Sequence, residues 1–453
     1  MGNRIVSFGL KKLLIINSSL LILTSCSVQK QISKSAQQLV LKDSSLLTAH
    51  VGISIYEPES GKYWFNYQGD KYFVPASNTK IPTTYAAMKY LGDSLVGFRW
   101  DSHESTISVW PTADPTFLHP DFSSERAIGL LKKFKNISLL ANGYFANKLG
   151  NGWSWNDYQA AYMVERSSFP MYGNLVKFYL HDEFVKTAPV AFEKMISYGK
   201  RNFKGIRVLR SKDANEFMVT EGEAKNVTMP FSTYESSFSP WLPTLQVKLL
   251  TDTLKIAASV GLVSSNQSEK TPVNLSKGFN VFYSQPTDSL LKPLMHRSDN
   301  FFAEQTLLMV SNAVLGVMND DKIIDSILST DFKDLPQRPR WADGSGLSRY
   351  NLFTPQSFVA ILNKMKNEFG MERVKVIFPT GGEGTITNYY KEDSSFIFAK
   401  TGTLSGVVAL SGYLFTKKGK LLIFSILVNN HQASSTAVRQ SVEKFLQSIR
   451  NKY

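Results

Sequence analysis

The sequence predicts an α/β (α+β) fold in which an antiparallel sheet, built from both ends of the chain and flanked by helices, is interrupted by β-rich inserted domains. Three observations carry this. Alternating apolar runs stand just after residue 50 and again after residue 400, a helical pattern closes the chain, and the stretch between about 100 and 275 mixes short strand-like runs with turns. With 453 residues, 43% of them hydrophobic and 12% aromatic, the chain is long enough for two or three domains and too apolar to be disordered. It carries no fixed-period repeat and no block of like charge, which argues against a solenoid.

At the N-terminus, Arg4, Lys11 and Lys12 precede an apolar run from Leu13 to Leu23 that is too short to span a bilayer. This reads as an export signal over residues 1–25. It closes on Leu23-Thr24-Ser25-Cys26, which resembles the lipobox of bacterial lipoproteins, where the chain is cut before the Cys and the thiol is acylated. Cys26 is the only cysteine of the sequence, so no disulfide is expected in an oxidising compartment. Residues 26–47 are then a lipid anchor and a polar tether that runs into a short helix. Removing residues 1–25 deletes three basic and no acidic residues and takes the formal charge from +14 to about +11. Nucleic acid is the first partner such a charge suggests, but an exported lipoprotein meets anionic lipids and wall polymers instead. Part of the excess, Lys200, Arg201, Lys204, Arg207, Arg210 and Lys212, reads as a solvated strand pair.

Val51, Ile53 and Ile55 alternate with small residues, Pro58 to Lys62 supply a turn, and Tyr63 to Tyr67 resume a strand, giving a hairpin. Phe73-Val74-Pro75-Ala76-Ser77-Asn78-Thr79-Lys80 then leads into the helix-forming Tyr85 to Leu91, stopped by Gly92. If Ser77 opens that helix, Lys80 lies one turn on and on the same face. A serine hydroxyl needs an adjacent base to become a nucleophile, and a lysine serves only when burial or a nearby positive charge keeps it neutral. The spacing alone says little, since Ser27/Lys30, Ser197/Lys200, Ser289/Lys292 and Ser441/Lys444 repeat it. Ser441, in the middle of a helix, is expected to be exposed.

In the insertion, Ile206 to Leu209 and Glu216 to Thr220 read as strands, and the aromatic segment Trp153 to Tyr158 reads as the anchor of a local core. The catalytic part is expected over 48–100 plus 276–453, with the inserted domain or domains over 101–275. Downstream, His296-Arg297-Ser298-Asp299-Asn300 spaces a hydroxyl and a carboxamide to project from one loop or helix start. The hydroxyl could relay a proton and the amide could hold a lysine and a substrate carbonyl together. A helix cap followed by a polar side chain gives the same spacing, as do Tyr172-Gly173-Asn174 and Ser264-Ser265-Asn266. Lys400-Thr401-Gly402-Thr403 occurs once, before a strand over Val407 to Phe415. On a sheet edge it offers a positive charge and hydroxyls for a carboxylate, a glycine that lets a substrate backbone approach, and a charge that biases Lys80 toward its neutral form. A tight turn at Lys417 to Lys420 leads to a strand over Leu421 to Val428. Ser434 or Ser435 then caps a helix with Val438, Val442, Phe445 and Ile449 on one face.

In this order the three elements resemble the Ser-x-x-Lys, Ser-Asp-Asn and Lys-Thr-Gly signature of serine β-lactamases and penicillin-binding proteins. Pro75 to Gly92, Asp114-Pro115-Thr116, Trp153 to Tyr158, Asp343 to Asn351 and Gly382 to Thr385 are similar to the D-alanyl-D-alanine carboxypeptidase/endopeptidase family of low-molecular-mass penicillin-binding proteins. That similarity covers most of the chain after about residue 48. It implies a β-lactamase/transpeptidase-like domain interrupted between the first and second motifs. It also implies a serine-type carboxypeptidase or endopeptidase that cuts peptidoglycan stem peptides through an acyl-enzyme, with β-lactams as covalent inhibitors and no metal or cofactor. By the same resemblance Ser77 is the nucleophile and Lys80 its base, Ser298 and Asn300 relay the proton and orient the peptide, and Lys400, Thr401 and Thr403 bind the substrate carboxylate. The backbone N–H groups of Ser77 and Thr403 form the oxyanion hole. A β-lactamase or esterase of the same superfamily and a non-catalytic peptidoglycan-binding lipoprotein are the competing classes. Glu165, followed by Arg166, Ser167 and Ser168, does not resemble the deacylating Glu loop of class A β-lactamases.

Overall fold

A computed structural model describes residues 28–141, 146–199, 204–233, 244–262 and 278–453. The export signal, Cys26, Ser27, Lys200, Arg201 and Ser264-Ser265-Asn266 lie outside the described residues.

Both chain ends build one antiparallel five-stranded sheet, in the order Ile397–Leu404, Val407–Phe415, Leu421–Asn429, His50–Glu57, Lys62–Tyr67. The first and last parts of the chain meet where His50–Glu57 pairs with Leu421–Asn429, with Val51 opposite Val428 and Ile53 opposite Ile426. Side chains alternate between two cores. Tyr413, Ile423 and Leu427 face the helices Lys80–Tyr90, Thr287–His296, Asn300–Leu315 and Pro355–Phe369. Leu410, Phe424, Ile426 and Val428 face the terminal helix Ser435–Lys452 and the N-terminal segment, where residues 28–36 are helical and Gln37–Leu41 follows as a π-turn. With both faces covered, the sheet tolerates the nearly unbroken apolar run Leu421 to Val428.

The terminal helix follows its expected pattern. Ser434 caps it by accepting from the Ala437 N–H at 3.2 Å, and Val438, Val442, Phe445 and Ile449 are all buried. Ser441 departs from expectation: it is 2% exposed and donates to the Leu39 carbonyl, because the N-terminal segment covers that side of the helix. No helix among the described residues is long and apolar enough to cross a membrane.

The insertion has its own core, formed by residues such as Phe98, Val109, Leu139, Phe178, Phe217 and Leu249. Its five-stranded sheet has the order Ala257–Leu262, Asn136–Ala141, Thr106–Pro111, Ser94–His103, Asn280–Pro286, so it draws in residues on both sides of the expected junctions at 100 and 276. Two three-stranded sheets complete it, one joining Ile196–Tyr198, Phe217–Glu221 and Ile206–Arg210, the other Asn226–Pro230, Leu175–His181 and Phe184–Ala188. Arg207 is exposed as a solvated strand requires, but Arg210 is 4% exposed and pairs with Glu165 at 3.4 Å. Trp153 to Tyr158 is not a core anchor either. Trp155 is 68% exposed, and the Trp153 Nε1–H donates to Asp343 Oδ2 at 2.9 Å, so the segment reaches across to the other domain.

Candidate active site

Ser77 sits in a 3₁₀ turn, Ala76–Thr79, that runs straight into the α-helix Lys80–Tyr90. The helix proper therefore begins one turn later than at Ser77 itself, and Pro82 falls in its first turn, where no N–H partner is lost. The turn is fastened to the sheet. Asn78 Nδ2 donates to Ser411 Oγ at 2.7 Å, and Asn429 both accepts from the Val74 N–H (2.8 Å) and donates to the Val74 carbonyl (3.0 Å). Ala76 has φ +47°, a left-handed conformation that an L-residue adopts only under constraint. Asn78, Thr79 and Lys80 are fully buried, while Ser77 between Ala76 and Asn78 is partly open to solvent.

Lys80 has three acceptors around one ammonium group: Ser77 Oγ at 3.2 Å, Asn300 Oδ1 at 2.6 Å and the Ser345 carbonyl at 2.7 Å. Burial pushes its pKa down to about 8, against the opposing charges of Asp343, Glu304 and Asp299. Desolvation is thus the main cause of the shift, rather than the charge of Lys400. Lys400 is itself fully buried and held well below the ordinary lysine range, first by desolvation and then by the charges of Lys80 and Arg439.

The second element begins the helix Asn300–Leu315, and the cap is Asp299, whose carboxylate accepts from the Phe302 N–H at 3.0 Å. Ser298 is left free of capping, at φ +59°, and accepts from Lys400 Nζ at 2.9 Å. Asn300 holds Lys80 through Oδ1, while its Nδ2 donates to the Tyr162 carbonyl at 3.0 Å. The third element lies on the edge strand Ile397–Leu404. Thr401 Oγ1 donates to Thr385 Oγ1 at 2.7 Å, and Thr403, exposed, accepts from Arg439 Nη2 at 2.5 Å. Gly402 is also needed for packing within the chain. A Cβ there would stand 2.5 Å from the Pro75 carbonyl oxygen and 3.1 Å from the Ser77 nitrogen, so its absence lets the strand close against the Ser77 turn.

Sequence reasoning gave no role to the loop over Asp343 to Ser348. Asp343 gathers the N–H groups of Gly346 (2.8 Å) and Ser348 (2.7 Å) and the Asn351 amide (2.7 Å), which fixes the Ser345 carbonyl on Lys80. The signal was present as an Asp leading a Gly/Ser-rich run. Arg439 left no such signal, since it is one polar residue on an amphipathic helix. Glu165 accepts from the Thr233 N–H at 2.9 Å and pairs with Arg210 inside the insertion.

A partly open serine bonded to a buried lysine, beside an Asn and a Lys-Thr-Gly strand, defines the class of serine hydrolases to which the penicillin-binding enzymes belong. Residues 33–449 match the model of the D-Ala-D-Ala carboxypeptidase 3 (S13) family, and the chain belongs to that family. It is 28% identical to D-alanyl-D-alanine carboxypeptidase DacB of Haemophilus influenzae over 38% of this chain and 37% of that protein. It is 23% identical to a D-alanyl-D-alanine carboxypeptidase of an Actinomadura species over 86% of this chain and 80% of that one. The crystal structure of penicillin-binding protein 4 of Haemophilus influenzae shares the fold, with a TM-score of 0.67, 21% identity, and coverage of 92% of this chain and 98% of that chain. It has also been solved with a β-lactam. A predatory endopeptidase of Bdellovibrio bacteriovorus shares the fold more distantly, with a TM-score of 0.53, 16% identity, and coverage of 89% and 94%.

Proposed function

We propose that the protein is a penicillin-binding serine D-Ala-D-Ala carboxypeptidase, endopeptidase or both, acting on peptidoglycan stem peptides in the cell envelope. One observation carries the mechanism. Asn300 Oδ1 and the Ser345 carbonyl accept two of the lysine's protons, so the lone pair exposed when Lys80 loses its third points at Ser77 Oγ. Neutral Lys80 takes the Ser77 proton as the oxygen bonds to the carbonyl carbon C-terminal to which the chain is cut. The C–N bond then breaks, and the leaving amine receives that proton by way of the Ser298 hydroxyl. Water, deprotonated along the same route, releases the acyl group. The N–H groups of Ser77 and Thr403 face the developing oxyanion. Lys400, Thr401 and Thr403 receive the carboxylate of the leaving residue, and the Arg439 guanidinium beside Thr403 adds a second cation.

Labelling with a fluorescent penicillin tests this: Ser77→Ala is expected to lose covalent labelling, and undiminished labelling overturns the assignment. Defined muropeptides, followed for free D-Ala and for loss of cross-links, separate the two activities. We further propose that cleavage before Cys26 and acylation of its thiol tether the protein to a membrane. Cys26→Ala is then expected to move the protein from the membrane to the soluble fraction, and retention on the membrane removes this claim.

A further inference from the structure

Beneath the lysine lies a buried charge cluster that the reaction does not consume. Glu304 follows Asn300 by one turn on the same helix, which places both on one face, and it is fully buried. Its Oε1 accepts from the Ser345 N–H at 2.8 Å, and the carbonyl of that same residue accepts from Lys80 Nζ at 2.7 Å. Its Oε2 accepts from Arg166 Nη1 at 3.3 Å, and Arg166 Nη1 also donates to Asp320 Oδ2 at 2.5 Å. Arg166 comes from the insertion, is 1% exposed, and is held by the carbonyls of Asn147 (2.9 Å) and Leu149 (3.2 Å). The charged groups facing Glu304 are therefore Arg166 from the insertion, Asp320 from the start of the helix Asp320–Ser329, and Asp343 from the loop. Those acting on Lys80 are Asp343, Glu304 and Asp299, with Lys400 coupled to it from the edge strand.

We propose that Glu304 is a positioning residue for Lys80, holding the Ser345 carbonyl on the lysine and using its own negative charge to set how readily the lysine releases its proton, with Arg166 and Asp320 as counter-charges. The proposal rests on the reading of Lys80 as the base. Burial and Asp343 push the Glu304 carboxyl up, the Arg166 charge and the Ser345 N–H oppose them, and Asp320 pushes it further up. The sign on Lys80 follows: an ionised Glu304 raises the lysine and a neutral one lets it fall. An ion pair that only holds the fold together would not reach the lysine in this way.

The test is the rate of fluorescent-penicillin labelling of the full chain from about pH 5 to 10, with thermal melting alongside to establish folding. Glu304→Gln keeps the shape and an oxygen for Ser345 but removes the charge, so the acid limb of the profile moves down by about one pH unit. Asp320→Asn leaves the Glu304–Ser345 bond intact and keeps the Glu304 carboxylate paired with Arg166, so Glu304 stays ionised where the lysine titrates and the limb moves far less than in Glu304→Gln. A downward shift in Glu304→Gln beside a nearly unmoved limb in Asp320→Asn supports the proposal, and if Glu304→Gln fails to fold, Glu304→Met, which removes the same charge, is expected to show the same downward shift. A limb that stays in place when the Glu304 charge is removed overturns it, even if the rates fall equally at every pH. Lys80→Met separates the two claims. Wild-type labelling by that variant overturns the reading of Lys80 as base, whereas a dead Lys80→Met beside an unmoved limb in Glu304→Gln overturns only the role of Glu304.

Discussion

Lys80 shows how function and stability oppose one another at a single residue. Its folded-state value of about 8 lies below its ordinary 10.5, so between those values the unfolded chain holds more protons than the folded one. Stability contributed by this group therefore rises with pH from about 8 to 10.5, and below about 8 the full cost of burying a charged amine is present. That net cost is on the order of 3 kcal/mol. Lys80→Met is expected to melt at a higher temperature than the native protein at pH 7 and to lose acylation, and a lower melting temperature contradicts this. The rate of acylation should rise with pH and level off above about 8, as the neutral amine becomes the main form. Stopped-flow labelling across that range measures it. The sequence pointed to this lysine through spacing and order of motifs. It did not identify the cause of the shift, because the lysine is buried by segments distant in the chain, among them those that carry Asn300 and Ser345.

Among the elements, the edge strand Ile397–Leu404 and the helix Ser435–Lys452 act together. Gly402 lets the strand close on the Ser77 turn, so Gly402→Ala forces apart two segments that must stay in register. Labelling should fall about 10- to 100-fold, with a stability loss of about 1–3 kcal/mol. Unchanged labelling would mean that the turn can yield. Arg439 reaches Thr403 from the terminal helix, so Arg439→Ala should raise KM about tenfold for peptides ending in a free carboxylate and leave the corresponding amides nearly unaffected. Steady-state kinetics on the acid and amide pair decides this. The helix could be read from its 3.6-residue apolar period and its serine cap. Its polar side carries no comparable mark, which is why Arg439 went unnoticed while Val438, Val442, Phe445 and Ile449 were found.

At the scale of the whole molecule, the insertion reaches the lysine–serine cluster. Arg166 enters the helical layer, the Trp153 indole holds Asp343, the Tyr162 carbonyl holds Asn300, and Gln305 bonds the carbonyls of Ala113 and Ser167 at 2.9 Å each. Arg166→Met leaves Glu304 and Asp320 buried without their cation and should cost about 3–5 kcal/mol, measured by denaturant unfolding. The amino-acid sequence by itself determined the elements and the chemical vocabulary. Alternation marked the strands, periodicity and capping serines marked the terminal helix, and three short motifs in a fixed order singled out Ser77, Lys80, Ser298, Asn300 and Lys400, because all of these depend on residues close together in the chain. Only the tertiary structure decided which contacts tune them. The Ser345 carbonyl on Lys80, the buried Arg166–Glu304 pair, the close approach at Gly402 and the burial of Ser441 each join segments far apart in sequence, and desolvation and electrostatics act through space rather than along the chain.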